Sequence, residues 1–517
     1  VSFHQIINIL QADVRKRIVL STATAPNRLI AAARSHIADV QPQERDGAMK
    51  SRQRYGLRYR PVVAVAAVAG IVLGAAACGS SSSSGSTGAS TGGKVTISID
   101  CAPPSAQQPV QNKEWLEDVA IFEKANPNIT VDSVYNYPCD AVPATFTAML
   151  RAGTETNLYY TYFTDLPQVL LAGQAANITK YVNTTTVPNL NDIAPSSLKA
   201  DEAGSTLYGL PTSNYTQGLI YNRKLFTEAG LNPNDPPTTW TEVEADASKI
   251  AKLGGGIEGW GDYSAGNNGG WHFSSYMDAL GGSTVNNSGA APTANFDNAD
   301  GTAILEALHT LRFTDNAMSP TQGLAWGTLQ QQFAAGKLGM YIAAPDDIYN
   351  VIVPTDKGDL SDIGMAALPS LTGTPAGSLS GGNDYMFSPK DSPAQIAAGV
   401  KWINFEDLTP GVGQFNFVRQ KADGFPVGFP EPELFVGATG TKINQLRTAS
   451  ATINVSYYQS FINAQTPGDG EPYDAQAVYK TLDPVMLAVL TESNVNIPAL
   501  LKTAASNVNT ILANSAG

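Results

Sequence analysis

YGLPTSNYTQGLIYNRKLFTEAGLNPNDPPTTW, residues 208–240, carries several kinds of structural punctuation in a short span. Gly209 and Pro211 interrupt regular structure at its start. Gly218, Leu219, Ile220 and Tyr221 form a short apolar run that predicts a buried strand. Asn222 is placed to cap a helix whose Leu225 and Phe226 point inward, and Gly230 stands where a C-terminal cap belongs. Two prolines follow, and Thr239 or Thr241 opens a further helix around Trp240. The pattern is that of a chain leaving one α/β layer and starting another.

Upstream, Lys94–Asp100 alternates and is rich in β-branched residues, as a first strand would be. A helix is expected over Glu114–Ala125, with Trp115, Val119 and Phe122 on one face, and a strand over Ile129–Val134. A helix over Val142–Ala152, a strand over Leu158–Phe163 and a helix over Leu166–Ala172 continue the alternation. Strand and helix at this spacing predict parallel βαβ units. Downstream, helices are expected at Glu242–Leu253, His272–Leu280, Ala303–Phe313 and Pro393–Leu408, and through much of the last third.

The segment 208–240 resembles the G-x-P, YN-x-x-(L/F)-F-x-x-AGL and P-x-TW signature of family 1 extracellular solute-binding proteins, the sugar-binding subunits of ABC importers. FEKANPNITV (122–131) and QQQFAAGKLGMYI (330–342) are similar to further elements of that family, in the same order. The resemblance covers about residues 94–517. It implies an α/β, two-lobed periplasmic-binding-protein fold with discontinuous lobes, 94–209 with 384–435 and 210–383 with 436–517. Crossings are expected near 208–212, 378–386 and 430–445. It also implies capture of a sugar by hinge closure, delivery to an ABC permease, no chemistry on the ligand and no cofactor.

The start of the chain is of another kind. From Met49, MKSRQRYGLRYRP is basic, and Pro61–Ala77 is uninterrupted small apolar sequence ending at Cys78. A basic region, a short apolar region and small residues before a cysteine predict a secretory signal over 49–77. The end resembles a bacterial lipobox, with Cys78 lipidated and the protein held at the outer face of the cytoplasmic membrane. Ala75 stands where Leu is commonest, and a plain transmembrane anchor is the alternative. Residues 78–93 form a Gly/Ser tether that would span roughly 20 Å. Residues 1–48 read as an upstream extension, disordered or untranslated.

Residues 1–77 hold 11 Lys and Arg against 4 Asp and Glu, leaving 21 against 41 in the remainder. Such an acidic body argues against a nucleic-acid partner, and a monomer is expected. Beyond the signal the histidines are His272 and His309, and no HExxH, GxSxG or P-loop pattern occurs. Gly254–Gly259 matches GxGxxG but follows a helix, so it reads as a turn rather than a dinucleotide loop. Cys101 and Cys139 fall near the ends of neighbouring expected strands, within reach of a disulfide; two free thiols are the alternative. No metal site is indicated.

Ligands of open α/β sheets bind beyond the carboxyl ends of strands. Loops expected there carry Asp165, Tyr215, Asp262, Tyr263, Trp271, Asp346, Asn383, Asp384 and Tyr385, with Trp326 undecided between site and packing. Carboxylates beside aromatic faces suit a neutral polyol, whose C–H face stacks while its hydroxyls donate. By resemblance, Asp165 and Trp271 occupy sugar-binding positions, and Asp346 stands where several relatives have Trp. The alternatives are a helix N-cap for Asp165 and a place in the lobe core for Trp271. Trp115, Trp240 and Trp402 read as core. A polyamine or other cationic solute is the rival ligand. A secreted carbohydrate-active enzyme and a purely structural surface lipoprotein are rivals of other classes.

Overall fold

The computed structural model describes residues 93–136, 143–287, 291–430, 434–464 and 470–515. The expected extension and signal, the tether through residue 92, Cys78 and Cys139 lie outside the described residues. Cys101 is disulfide-bonded, and the partner expected for it is among the residues outside. No helix among the described residues is long and apolar enough to cross a membrane.

Two sheets organise the chain. The first runs Ile129–Ser133, Val95–Ile99, Leu158–Tyr162, Ser380–Phe387, Gly209–Thr216 from edge to edge. Its first three strands are parallel, and Ser380–Phe387 is antiparallel to both of its neighbours. The second runs Ile363–Ala366, Gly218–Asn222, Leu338–Ala343, Glu258–Trp260, with Gly218–Asn222 antiparallel to the strands beside it. The expected parallel units are present. The antiparallel pairs arise because the chain passes between the sheets and returns.

Each sheet has its own core, which makes two lobes. In the first, Ile97, Ile99, Leu158 and Leu210 pack with Trp115, Phe122 and Trp402, which meet edge to face. In the second, Leu219, Tyr221, Trp240, Trp260 and Met340 pack with Phe273, Leu482 and Leu501. Trp115, Trp240 and Trp402 are thus core, as their helical positions indicated.

The first and last crossings fall later than the sequence suggested, and the second falls within the expected 378–386. Gly209–Thr216 belongs to the first lobe's sheet, so the chain leaves only at Gln217, with Gly218 already in the second sheet. It returns at Ser378–Ser380. Leu434, Phe435 and Ile443 belong to the first core, whereas Ile453, Tyr458 and Phe461 belong to a core of the second lobe. The last crossing therefore follows helix Gly437–Ser450 rather than falling at 430–445. That helix stays because the Asp192 carboxylate accepts from the Thr439 N–H at 2.9 Å and from its hydroxyl at 2.6 Å.

Local rules account for the entry to the second lobe. Asn222 Oδ1 accepts from the Leu225 N–H at 3.0 Å, capping helix Arg223–Glu228. Thr239 and Glu242 form a capping box at Trp240–Ala251. Gly254, Gly255 and Gly256 then take left-handed φ values of 76°, 63° and 75°, which glycine adopts without steric cost. GxGxxG here is a helix-to-strand turn.

Candidate functional site

A cleft of about 520 Å³ opens between the lobes. The first lobe contributes Tyr160 and Tyr162, which share one face of the strand by its period of two, and Tyr385 from the neighbouring strand. The second contributes Trp271, Trp326 and Tyr349. Tyr215 and Asn383, on the crossing strands, lie between. The lobes also touch directly, since Gln476 Nε2 donates to Thr164 Oγ1 at 3.2 Å.

Trp271 is held by its helix, Asn268–Ala279. The Asp483 carboxylate accepts from the N–H groups of Asn267 (2.7 Å) and Gly270 (3.1 Å) at the start of that helix. A Cβ on Gly270 would stand 2.3 Å from Tyr479 Cα, so glycine lets the two helices approach. The Gly/Asn-rich run 266–270 is therefore a docking seam for helix Ala475–Thr491. Trp271 Nε1 donates to the Tyr215 hydroxyl at 3.2 Å, and the rings meet edge to face 6.0 Å apart. Asn268 Oδ1 accepts from the Trp326 N–H at 2.9 Å, which brings Trp326 to the same wall.

Of the residues singled out in the sequence, Tyr215, Trp271, Trp326, Asp346, Asn383 and Tyr385 line the cleft. Asp165, Asp262, Tyr263 and Asp384 are buried and do not reach it. Asp165 turns back to accept from the Tyr162 N–H at 3.0 Å and from Gln168, tying strand end to helix start. Asp262 is consumed by His272 Nδ1 (2.7 Å), the Tyr276 hydroxyl (2.6 Å) and the Tyr263 N–H (2.8 Å). Tyr263 donates to Gln330 Oε1 at 2.8 Å, and Gln330 donates to buried Asp347 at 2.9 Å. Asp384, in the middle of the returning strand Ser380–Phe387, is buried and bonded to the Thr161 hydroxyl of the neighbouring strand. In each case a polar residue serves the backbone or a buried network instead of the cleft.

The residues that the sequence left unnamed come from distant segments. Glu114 and Gln111 reach the cleft from helix Pro109–Ala125, and Asp407 and Gln414 from residues beyond Pro393–Glu406. Arg447 arrives from Gly437–Ser450, and Glu471 and Tyr479 from the last third. The alternation in YYTYF could have singled out Tyr160 and Tyr162. No local signal marks Glu471, whose place depends on its N–H donating to Ser380 O at 3.2 Å.

The electrostatics are acidic. Glu114, Asp346, Asp347, Asp407 and Glu471 line the cleft against Arg447. Burial raises the carboxyls of Glu114 and Glu471 to about 7 and that of Asp407 to about 8, with the Asp118 charge adding to the last. Arg419, paired with Asp118 at 2.7 Å and 2.5 Å, lies 3.5 Å from Glu114 and offsets part of its shift. No group of His, Cys, Asp and Glu suited to a metal ion occurs among the described residues.

Comparison with known proteins agrees with this architecture. Over 244 residues the chain is 28% identical to a binding protein of Brucella abortus, a match covering 46% of this chain and 56% of that protein. The chain thus spans about half the length of the curated relatives it matches. An ABC transporter solute-binding protein of Thermotoga lettingae, bound with α-D-tagatose, superposes with a TM-score of 0.65 at 19% identity, covering 81% of this chain and 99% of that one. UgpB of Mycobacterium tuberculosis, in complex with glycerophosphocholine, gives 0.60 at 18% identity, covering 80% and 100%. These are binding proteins rather than enzymes. Residues 103–405 match the model of the bacterial extracellular solute-binding proteins, and the chain belongs to that family.

Proposed function

We propose that the chain captures a sugar or oligosaccharide outside the cytoplasmic membrane and delivers it to an ABC permease. The observation that carries this reading is the inter-lobe wall of Trp271, Trp326 and Tyr215 beside Asp346 and Glu471. A sugar ring stacks its C–H face on such a wall while its hydroxyls donate to the carboxylates. Contacts from both lobes stabilise a closed state, and the crossings at Gln217, Ser378–Ser380 and after Ser450 absorb the motion. Lipidation at Cys78 would hold the lobes at the membrane through the Gly/Ser tether, and Cys101–Cys139 is the disulfide this reading expects.

A cationic solute such as a polyamine is the second reading, favoured by the excess of carboxylates over Arg447 in the cleft. A thermal-shift screen with tagatose, maltose, spermidine and glycerophosphocholine tests both, because a ligand raises apparent stability by mass action. Stabilisation by neutral sugars supports the first reading, and stabilisation by spermidine alone overturns it. Moving Cys78→Ser from the membrane to the soluble fraction in a lipoprotein-processing host tests the anchor.

A further inference from the structure

Between helix Phe417–Ala422 and Leu434 the chain makes an excursion out of the first lobe. Its root there is firm. Arg419 pairs with Asp118 at 2.7 Å and 2.5 Å, Lys113 pairs with Asp423 at 2.8 Å, and the Phe425 N–H donates to the Gln420 carbonyl at 2.8 Å. The far end is planted in the second lobe. Phe429 is 3% exposed in the core that holds Tyr341 and Ile363. Its ring meets that of Tyr458 edge to face at 5.0 Å and lies 5.7 Å from that of Tyr349. By Leu434 the chain is back in the core of the first lobe.

The middle of the excursion is bonded to the last crossing. The Val427 N–H donates to Thr452 Oγ1 at 2.9 Å. The Val427 carbonyl accepts from the N–H groups of Thr452 at 2.9 Å and Ile453 at 3.3 Å. A Cβ on Gly428 would stand 2.9 Å from that of Ala451, so the two stretches run side by side. Residues 425–429 also line the cleft, as does Tyr349.

An ordinary surface loop stays with the lobe it belongs to. This one commits an aromatic ring to the opposite lobe, and only three residues separate Phe425 from Phe429. Opening the lobes draws the root away from the planted ring, so the ring must leave its core or the short link must strain. Burial of the ring therefore favours arrangements in which the lobes stay close.

We propose that residues 424–430 are a strap that limits how far the lobes open, with Phe429 as its anchor, and that it holds the unliganded chain partly closed. The strap adds a connection beside the last crossing and moves with it through Val427 and Thr452. It does not depend on which solute the cleft takes.

Small-angle scattering of the exported chain without ligand, with thermal unfolding alongside, tests this. Phe429→Ala should enlarge the radius of gyration of the unliganded chain. Phe429→Leu, which keeps an apolar anchor, should restore most of the wild-type value. Thr452 is exposed, and Thr452→Val, which frees the Val427 N–H, should open the chain in the same direction by less. Of maltose, tagatose, spermidine and glycerophosphocholine, any that the wild type binds should bind Phe429→Ala about tenfold more weakly, because the closed form is then a smaller fraction of the population. A ring that only fills the core would lower the melting temperature and leave the scattering of the unliganded chain as in wild type, and that result overturns the proposal. Should Phe429→Ala not fold, Thr452→Val decides on the same readout, a larger radius supporting the strap and an unaltered one overturning it.

Discussion

The Ser378 hydroxyl grips the backbone of Gln217 in both directions. Ser378 Oγ accepts from the Gln217 N–H at 3.0 Å and donates to the Gln217 carbonyl at 2.7 Å. Gln217 stands between the strands of the two sheets, and Ser378 lies where the chain returns. One side chain therefore joins two crossings at a buried point where neither backbone group meets water.

Ser378→Ala should accordingly lower the stability of the unliganded chain by about 1–3 kcal/mol, the cost of leaving a buried donor and acceptor unpaired. Ligand affinity should change as well, because the crossing sets the balance of open and closed forms. Thermal unfolding and small-angle scattering with and without ligand read both. Unaltered melting and scattering would remove the grip from the hinge.

Trp271 and Asp165 should part company on mutation. Trp271 is only half-buried and faces the cleft, so Trp271→Ala should cost about 2 kcal/mol of affinity, roughly thirtyfold, with little loss of unliganded stability. Asp165 is buried and bonded to the Tyr162 N–H and Gln168. Asp165→Ala should lower melting temperature while affinity stays within about threefold. Paired calorimetry and melting of both variants checks the contrast.

Acidity should stabilise the crossing strands. Asp201 and Asp384 interact in the buried layer beneath them; burial raises Asp384 to about 6 and Asp201 well above the ordinary carboxylate range. Asp165, close to Asp384, is raised to about 7, also by burial first. Groups raised in the folded state bind protons that the unfolded chain, with Asp near 3.9, has released, so stability falls as pH rises from about 4 to about 7. Asp384→Asn keeps an acceptor for Thr161 and removes one of the facing charges. Its melting temperature should exceed wild type at about pH 8, with the difference vanishing towards pH 4. A constant offset between the two melting curves would contradict the shared burial of these carboxyls.

Gly270→Ala should be costly for its size. The added methyl would stand 2.3 Å from Tyr479 Cα and 2.4 Å from its carbonyl oxygen, both backbone atoms that cannot rotate aside. A loss of about 1–3 kcal/mol is expected, with weaker ligand binding because Trp271 and Tyr479 both flank the seam. Melting and affinity close to wild type would mean that the helices separate freely.

Local chemistry made the strands, the Asn222 cap, the triple-glycine turn and the core tryptophans legible in the sequence, because period, capping and turn conformation depend on residues a few positions apart. The family followed from the same short-range punctuation. Which carboxylates face the cleft did not. Asp262 and Asp384 look like cleft residues until His272, Tyr276 and Thr161 are brought beside them, and a buried carboxylate goes to whichever donors the packing supplies. Glu471 reaches Tyr479, Gly381 and Ser380 only after the last third of the chain has folded back over the second crossing. Local sequence thus determined the elements and their order, whereas the partners of each polar group were decided by long-range packing, which no spacing along the chain encodes.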